Sequence, residues 1–341
     1  METQFSRNYD SLIGTVLITC MILGIPGNAV ALYHFATSRT KNVNSTYFKH
    51  VYTVISTVDL LLCIFLFPVV ESALAEGRYF CTTFCGAWTV GYAVLLDMSV
   101  FMVATISVSR LFLLVRPTTR LHTKLGWLVP LLYCTLTLTI KITYTLLNVS
   151  SFSFEPHLMS CVYLALDGTV SEEGEPMVNL LNTLILAVTE TIQTGFTVVP
   201  ISLSSILSLW FLRWSMNKTM QVGGRRKKQE EASKTVIIFT VMYVVFNIPI
   251  LLYNVFFWDW RLGLSSESSY MPVSRFLQSY LDAYSSRFLM SYSSVLVSRV
   301  FPAVNSTANP VLFVWRMESF RKFLHGKFRK QIMSEGNGQA T

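Results

Sequence analysis

Asp59, Asp97, Arg110, Lys141, Glu190 and Arg299 fall within or beside long apolar stretches of the sequence. A charge at the centre of a bilayer costs at least about 2.5–3.5 kcal/mol, so such a residue normally has a partner, a water-filled cavity or a task. Asp59 lies mid-stretch, and Arg110 lies at the end of one. Both are too deep or too specifically placed for snorkelling to explain them. Lys141 and Glu190 have two open readings: pairing with another protein charge, or reaching the interface along their stems. No catalytic constellation is evident, so enzymatic chemistry is not required.

The elements that must position these groups are seven apolar runs, at about 12–35, 50–74, 85–115, 125–147, 180–211, 235–257 and 289–315. Spanning a hydrocarbon core takes roughly 20 apolar residues per helix. Of the 341 residues, 52% are hydrophobic and only 13% charged. Soluble domains carry about 25% charged residues, so this inventory cannot make a water-facing surface. The expected fold is an all-α membrane protein: a seven-transmembrane helix bundle with a short amphipathic helix on the inner membrane surface. Residues 1–11 are expected outside, 12–315 form the transmembrane domain, and 316–341 hold the cytoplasmic helix and tail. The first ten residues are mixed polar and no small-residue site closes the first run, so no cleaved signal is expected.

Basic residues cluster after the first, third, fifth and seventh runs, among them Arg39, Lys41, Arg116, Arg120, Lys124 and Arg225 to Lys228. The other segments are acid-rich, with Glu71, Glu76, Asp167, Glu172 and Glu173. The positive-inside rule then puts the amino terminus outside and the carboxyl terminus in the cytosol of a multi-pass plasma-membrane protein. It also accounts for the net charge of +8 without nucleic acid. Beyond the seventh run, Phe320, Phe323, Leu324 and Phe328 recur at helical spacing among Arg321, Lys322 and Lys327, as in a helix lying on the lipid surface.

Of six cysteines, Cys20, Cys63 and Cys134 lie in apolar runs, whereas Cys81, Cys85 and Cys161 fall on the outer side. Disulfides persist there, so one pair and one spare thiol are expected. Asn148-Val149-Ser150 is an outward-facing glycosylation sequon.

Together these residues resemble the rhodopsin-like G-protein-coupled receptors over nearly the whole chain. Gly27-Asn28 is similar to the family's first-helix pair, and Ser56 to Leu60 to its Leu-x-x-x-Asp. Cys85 precedes Arg110 by the family's 25 positions, and Cys161 supplies the partner in the second outer loop. Ser109-Arg110-Leu111, with Pro117 downstream, stands where Asp-Arg-Tyr is usual. Trp127, Pro200 and Pro249 occupy the family's places in helices four, five and six, and Asn309-Pro310-Val311-Leu312-Phe313 matches Asn-Pro-x-x-Tyr except at its last position. Three departures bear on activation: Ser109 replaces the acid, Asn247 before Pro249 replaces the toggle tryptophan, and Phe313 replaces the tyrosine.

The resemblance implies a two-state bundle in which an extracellular agonist favours outward movement of helix six and Arg110 meets a heterotrimeric G protein. Pro200, Pro249 and Pro310 would supply the helix distortions. It implies a Cys85–Cys161 disulfide, and a sodium ion at Asp59, Ser99, Asn305 and Asn309 as the metal and allosteric ligand, with no other cofactor. Tyr92 stands where amine receptors carry Asp, and the seventh run has no Lys for retinal. The expected ligand is a peptide or small chemosensory molecule, bound by Tyr92, Glu190, Tyr253 and Arg299. Two other readings are a divergent heptahelical protein with little or no coupling and a membrane transporter; no repeated halves support the latter.

Overall fold

The structure is a computed structural model that describes residues 2–39, 43–67, 70, 82–116, 120–148, 151–155, 160–164, 166–170, 176–179, 270–272, 300–317 and 319–326, with isolated positions within 203–210, 238–245 and 275–279. Its helices are α1 (Glu2–Thr37), α2 (Val43–Phe65), α3 (Thr82–Val115), α4 (Leu125–Asn148) and α5 (Phe301–Arg316). Among the described residues, four helical stretches are long and apolar enough to cross a membrane: Ser11–Thr37, Val43–Phe65, Val90–Leu113 and Leu125–Thr143. These answer to the first four apolar runs. The fifth and sixth runs and the first part of the seventh lie outside the described residues, isolated positions apart.

Helix ends differ from run ends for a physical reason. Hydropathy marks where hydrocarbon contact begins, whereas a helix continues for as long as its backbone bonds are made. Thus α1 reaches back to Glu2, and α2 begins at Val43, before the expected position 50. Asn44 in that added turn accepts a hydrogen bond from the Leu121 backbone N–H at 2.8 Å, tying the start of α2 to the α3–α4 connection. Pro26 and Pro130 lie inside α1 and α4, as membrane helices tolerate.

The all-α expectation omits the five short strands found among the described residues. β1 (Ser151–Glu155) and β2 (Ser160–Leu164) form an antiparallel hairpin, with Cys161 opposite Phe154. β3 (Leu166–Val170), β4 (Pro176–Asn179) and β5 (Tyr270–Pro272) form a second antiparallel sheet in that order. Ser151-Phe152-Ser153-Phe154 alternates polar and apolar, a period-two signal that was available in the sequence.

Two apolar clusters hold α1, α2, α3 and α5 together. One gathers Leu17, Leu62, Leu66, Trp88, Tyr92 and Met98, and the other Phe35, Tyr47, Phe48, Tyr52, Met102, Phe313 and Phe320. α4 instead leaves Leu131, Leu132, Leu136 and Ile140 exposed, as suits a helix bordered by lipid. At the end of α5 the chain turns: Met317 is extended, its N–H bonds the Phe313 carbonyl, and its own carbonyl accepts from Phe320 and Arg321. That starts a short helix at 319–326, which packs Phe320 and Phe323 against His34 of α1.

Candidate functional site

Asp59 is fully buried at 0% exposure, one to two turns along α2 from Ser56 and Tyr52 on the helix's packed face. Among the described residues, three neutral donors converge on it. Ser99 of α3 and Ser306 of α5 each donate to Oδ1 at 3.0 Å, and the Asn309 amide donates to Oδ2 at 2.6 Å. The carboxyl therefore joins three helices. Asn305, expected in this set, is half-buried and is not among the partners of Asp59; Ser306 stands there instead.

Local backbone chemistry extends the network to α1. A proline has no N–H, so Pro310 cannot bond the carbonyl four residues earlier, which belongs to Ser306. That carbonyl accepts from the Asn28 amide at 3.0 Å, and the same amide nitrogen also donates to the Gly24 carbonyl at 3.0 Å. Close approach makes this possible. A Cβ on Gly27 would stand 3.1 Å from the Pro310 ring, and one on Gly24 would stand 2.5 Å from Cys63 Sγ and 2.9 Å from Thr307 Oγ1.

Two buried oxygens beside this network, Asn28 Oδ1 and Ser56 Oγ, have no protein partner among the described residues. Buried polar atoms are nearly always satisfied, so these oxygens call for water or an ion. Hard cations favour carboxylate, carbonyl and hydroxyl oxygens, and Asp59, Ser99, Ser306, Ser56 and Asn28 all supply them. The residues present fit such a cation.

About three turns beyond Ser99 along α3, Arg110 sits half-buried near the end of its helix. Its Nη2 donates to the Tyr52 hydroxyl at 3.3 Å, and its guanidinium lies 4.3 Å from the centre of the Phe48 ring. Ser109 does not turn to Arg110: its hydroxyl shares a 2.8 Å hydrogen bond with the Tyr47 hydroxyl. Leu111 is half-buried, and Pro117 lies outside the described residues. Phe313 is 1% exposed and packs edge-on against Tyr52 and Phe35, at 5.5 and 5.1 Å between centroids.

The two open readings for Lys141 resolve into pairing. Its Nζ lies 3.3 Å from Asp97 Oδ2, joining α4 to α3, with side chains 15% and 20% exposed. One turn along the seam, Phe101 and Tyr133 stack in parallel at 3.9 Å.

Of the expected ligand residues, Tyr92 is buried and stacked on Trp88 at 5.3 Å, and the Trp88 indole donates to the Phe65 carbonyl at 2.8 Å. Glu190, Tyr253 and Arg299 lie outside the described residues, as do Asn247 and Pro249. The backbones of Cys85 and Cys161 lie in α3 and β2, and Asn148 ends α4; their side chains are outside the described set. Sequence reasoning missed Tyr47, Phe48, Tyr52 and Ser306. The first three are aromatic residues at or just before the start of the second apolar run, with nothing to set them apart; only Ser306, three residues before Asn309, offered a positional hint.

No family model matches the chain. Over 242 residues it is 24% identical to the C5a anaphylatoxin chemotactic receptor 1 of Oryctolagus cuniculus, a match that takes in 69% of this chain. The chain spans 62% of the length of that curated relative. The similarity is to a receptor and not to an enzyme, and it agrees with a protein built on apolar, membrane-length helices.

Proposed function

We propose that the protein is a rhodopsin-like G-protein-coupled receptor with seven transmembrane helices, its amino terminus outside and its carboxyl terminus in the cytosol. It binds an extracellular peptide or small chemosensory ligand and activates heterotrimeric G proteins. The observation that carries this reading is the network in which Asp59 joins α2, α3 and α5 while Asn28 takes the Ser306 carbonyl. Such a node, buried at the meeting of four helices, responds to any shift between them.

Asp59, with the hydroxyls of Ser99 and Ser306 and the side chain of Asn309, holds sodium in the resting state. The ion supplies the positive charge that a lone buried carboxylate requires. Ligand residues Tyr92, Glu190, Tyr253 and Arg299 form the outer cup, where the Arg299 fork suits a carboxylate or peptide carbonyls. Cys85 and Cys161 form a disulfide from α3 to the β1–β2 hairpin. Asn247, Pro249, Pro310 and Phe313 carry the helix rearrangement to Arg110, which contacts the G protein together with Ser109, Leu111 and Pro117.

The test is a screen of peptide and chemosensory libraries on cells carrying the receptor with several promiscuous G proteins. A ligand that raises second messenger in the wild type and not in Arg110→Ala supports the reading. Saturable ligand uptake across the membrane without any G-protein response would make it a transporter instead.

A further inference from the structure

Arg110 faces a chemical problem that the Asp59 network does not solve. A guanidinium carries five donors and a permanent charge, and it needs acceptors or a polarisable face wherever water is thin. Among the described residues, no carboxylate is a partner of Arg110. Both its partners, Tyr52 and Phe48, come from α2, one turn apart. The neighbouring Ser109 is committed to Tyr47, a third α2 aromatic. Three aromatic residues within about a turn and a half of one helix therefore hold two adjacent residues of another.

The tyrosine is itself braced. Its ring stacks on Phe35 of α1 at 5.3 Å and meets Phe313 of α5 edge-on at 5.5 Å. Phe313 in turn meets Phe320 of the 319–326 helix at 6.3 Å. Phe313 carries no hydroxyl, so it presses the Tyr52 ring without competing for its phenolic oxygen, which is left to Arg110.

We propose that Tyr52 and Phe48 are positioning residues that hold Arg110 against α2 in the resting state, an aromatic clamp contributed by one helix. This deepens the receptor reading and rests on it for its consequence: releasing the clamp frees Arg110 for the G protein. Tyr52 contributes a hydrogen bond and Phe48 a cation–π contact, and these are separable by substitution. Tyr52→Phe removes only the hydroxyl, and Phe48→Leu removes the ring but keeps apolar volume.

The experiment reads Arg110 directly. Purified receptor in nanodiscs is treated with phenylglyoxal, and modification of Arg110 is mapped by mass spectrometry against exposed Arg116 and Arg120. Agonist-free nucleotide exchange on a purified G protein is measured on the same samples. Each variant is expected to raise the Arg110 modification ratio about fivefold, the factor carried by one modest interaction, and to raise exchange in parallel. Tyr47→Phe removes a buried hydroxyl that Arg110 does not touch, and it should leave the ratio unchanged.

An unchanged ratio in both clamp variants overturns the proposal, and so does an equal rise in Tyr47→Phe, which would mean general loosening. A raised ratio without raised exchange, in a receptor whose wild type does catalyse exchange, overturns the clamp as a restraint on coupling. A raised ratio where no variant, wild type included, catalyses exchange upholds the clamp and removes the G-protein reading.

Discussion

The Asn28 amide of α1 donates to the Ser306 carbonyl of α5 at 3.0 Å, a bond that exists because Pro310 leaves that carbonyl free. Removing the amide strands a buried acceptor, which costs about 1–3 kcal/mol. Asn28→Ala should therefore lower the melting temperature of the detergent-solubilised protein by several degrees. Asn28→Asp should be no better, since it supplies no amide donor. A melting temperature equal to wild type in both variants would show that the carbonyl finds another donor.

Close helix approach at Gly24 predicts strong coupling with Cys63. A Cβ at position 24 meets Cys63 Sγ at 2.5 Å, well inside contact distance. Gly24→Ala should destabilise by about 1–3 kcal/mol, the usual range for overpacking a dense core. Cys63→Ala should recover much of that loss, leaving the residual conflict with Thr307. Strictly additive melting shifts in the double variant would rule out the contact.

The Asp97–Lys141 pair predicts a characteristic mutational pattern. Breaking a largely buried pair by removing one charge costs up to roughly 3–5 kcal/mol. Asp97→Leu and Lys141→Met should each destabilise the protein, while the double variant should lie close to wild type. Single and double variants of equal stability would mean that the pair contributes nothing to holding α3 against α4.

The proposed sodium site at Asp59 predicts a stability effect that needs no ligand and no G protein. A ligand at 100 times its Kd stabilises the folded state by about 2.7 kcal/mol. Replacing choline by sodium at constant ionic strength should raise the melting temperature of wild type, and Asp59→Asn should abolish the increment. An identical increment in wild type and Asp59→Asn would place the ion elsewhere.

Legibility in the sequence followed the chemistry of each residue. Asp59 was readable because a carboxylate in an apolar run demands partners, and Ser99 and Asn309 stood at the positions that the family resemblance implies. The choice between Asn305 and Ser306 was not readable, because both stand within one turn of Asn309 and Pro310 disturbs the helix between them and the next turn. Arg110 was conspicuous, yet its partners were not. Reasoning from charge looks for an acid, whereas a phenol and a ring face look in the sequence like any other core residues. Lys141 needed the α3–α4 register, which only packing sets. The hairpin at Ser151–Leu164 leaves no long apolar run, and its signal was the short polar–apolar alternation of Ser151 to Phe154.

Receptor activity through Arg110 is the central claim, and agonist-free nucleotide exchange tests it most directly. With Ser109 hydrogen-bonded to Tyr47 instead of carrying a negative charge, the resting state lacks one charge-assisted restraint. Loss of about 1 kcal/mol of restraint shifts a two-state equilibrium roughly fivefold. Purified wild type in nanodiscs should accelerate guanine-nucleotide exchange on a G protein without ligand, Ser109→Asp should reduce that rate, and Arg110→Ala should abolish it. Exchange no faster than in empty nanodiscs for the wild type, across a full panel of heterotrimers, would contradict the account.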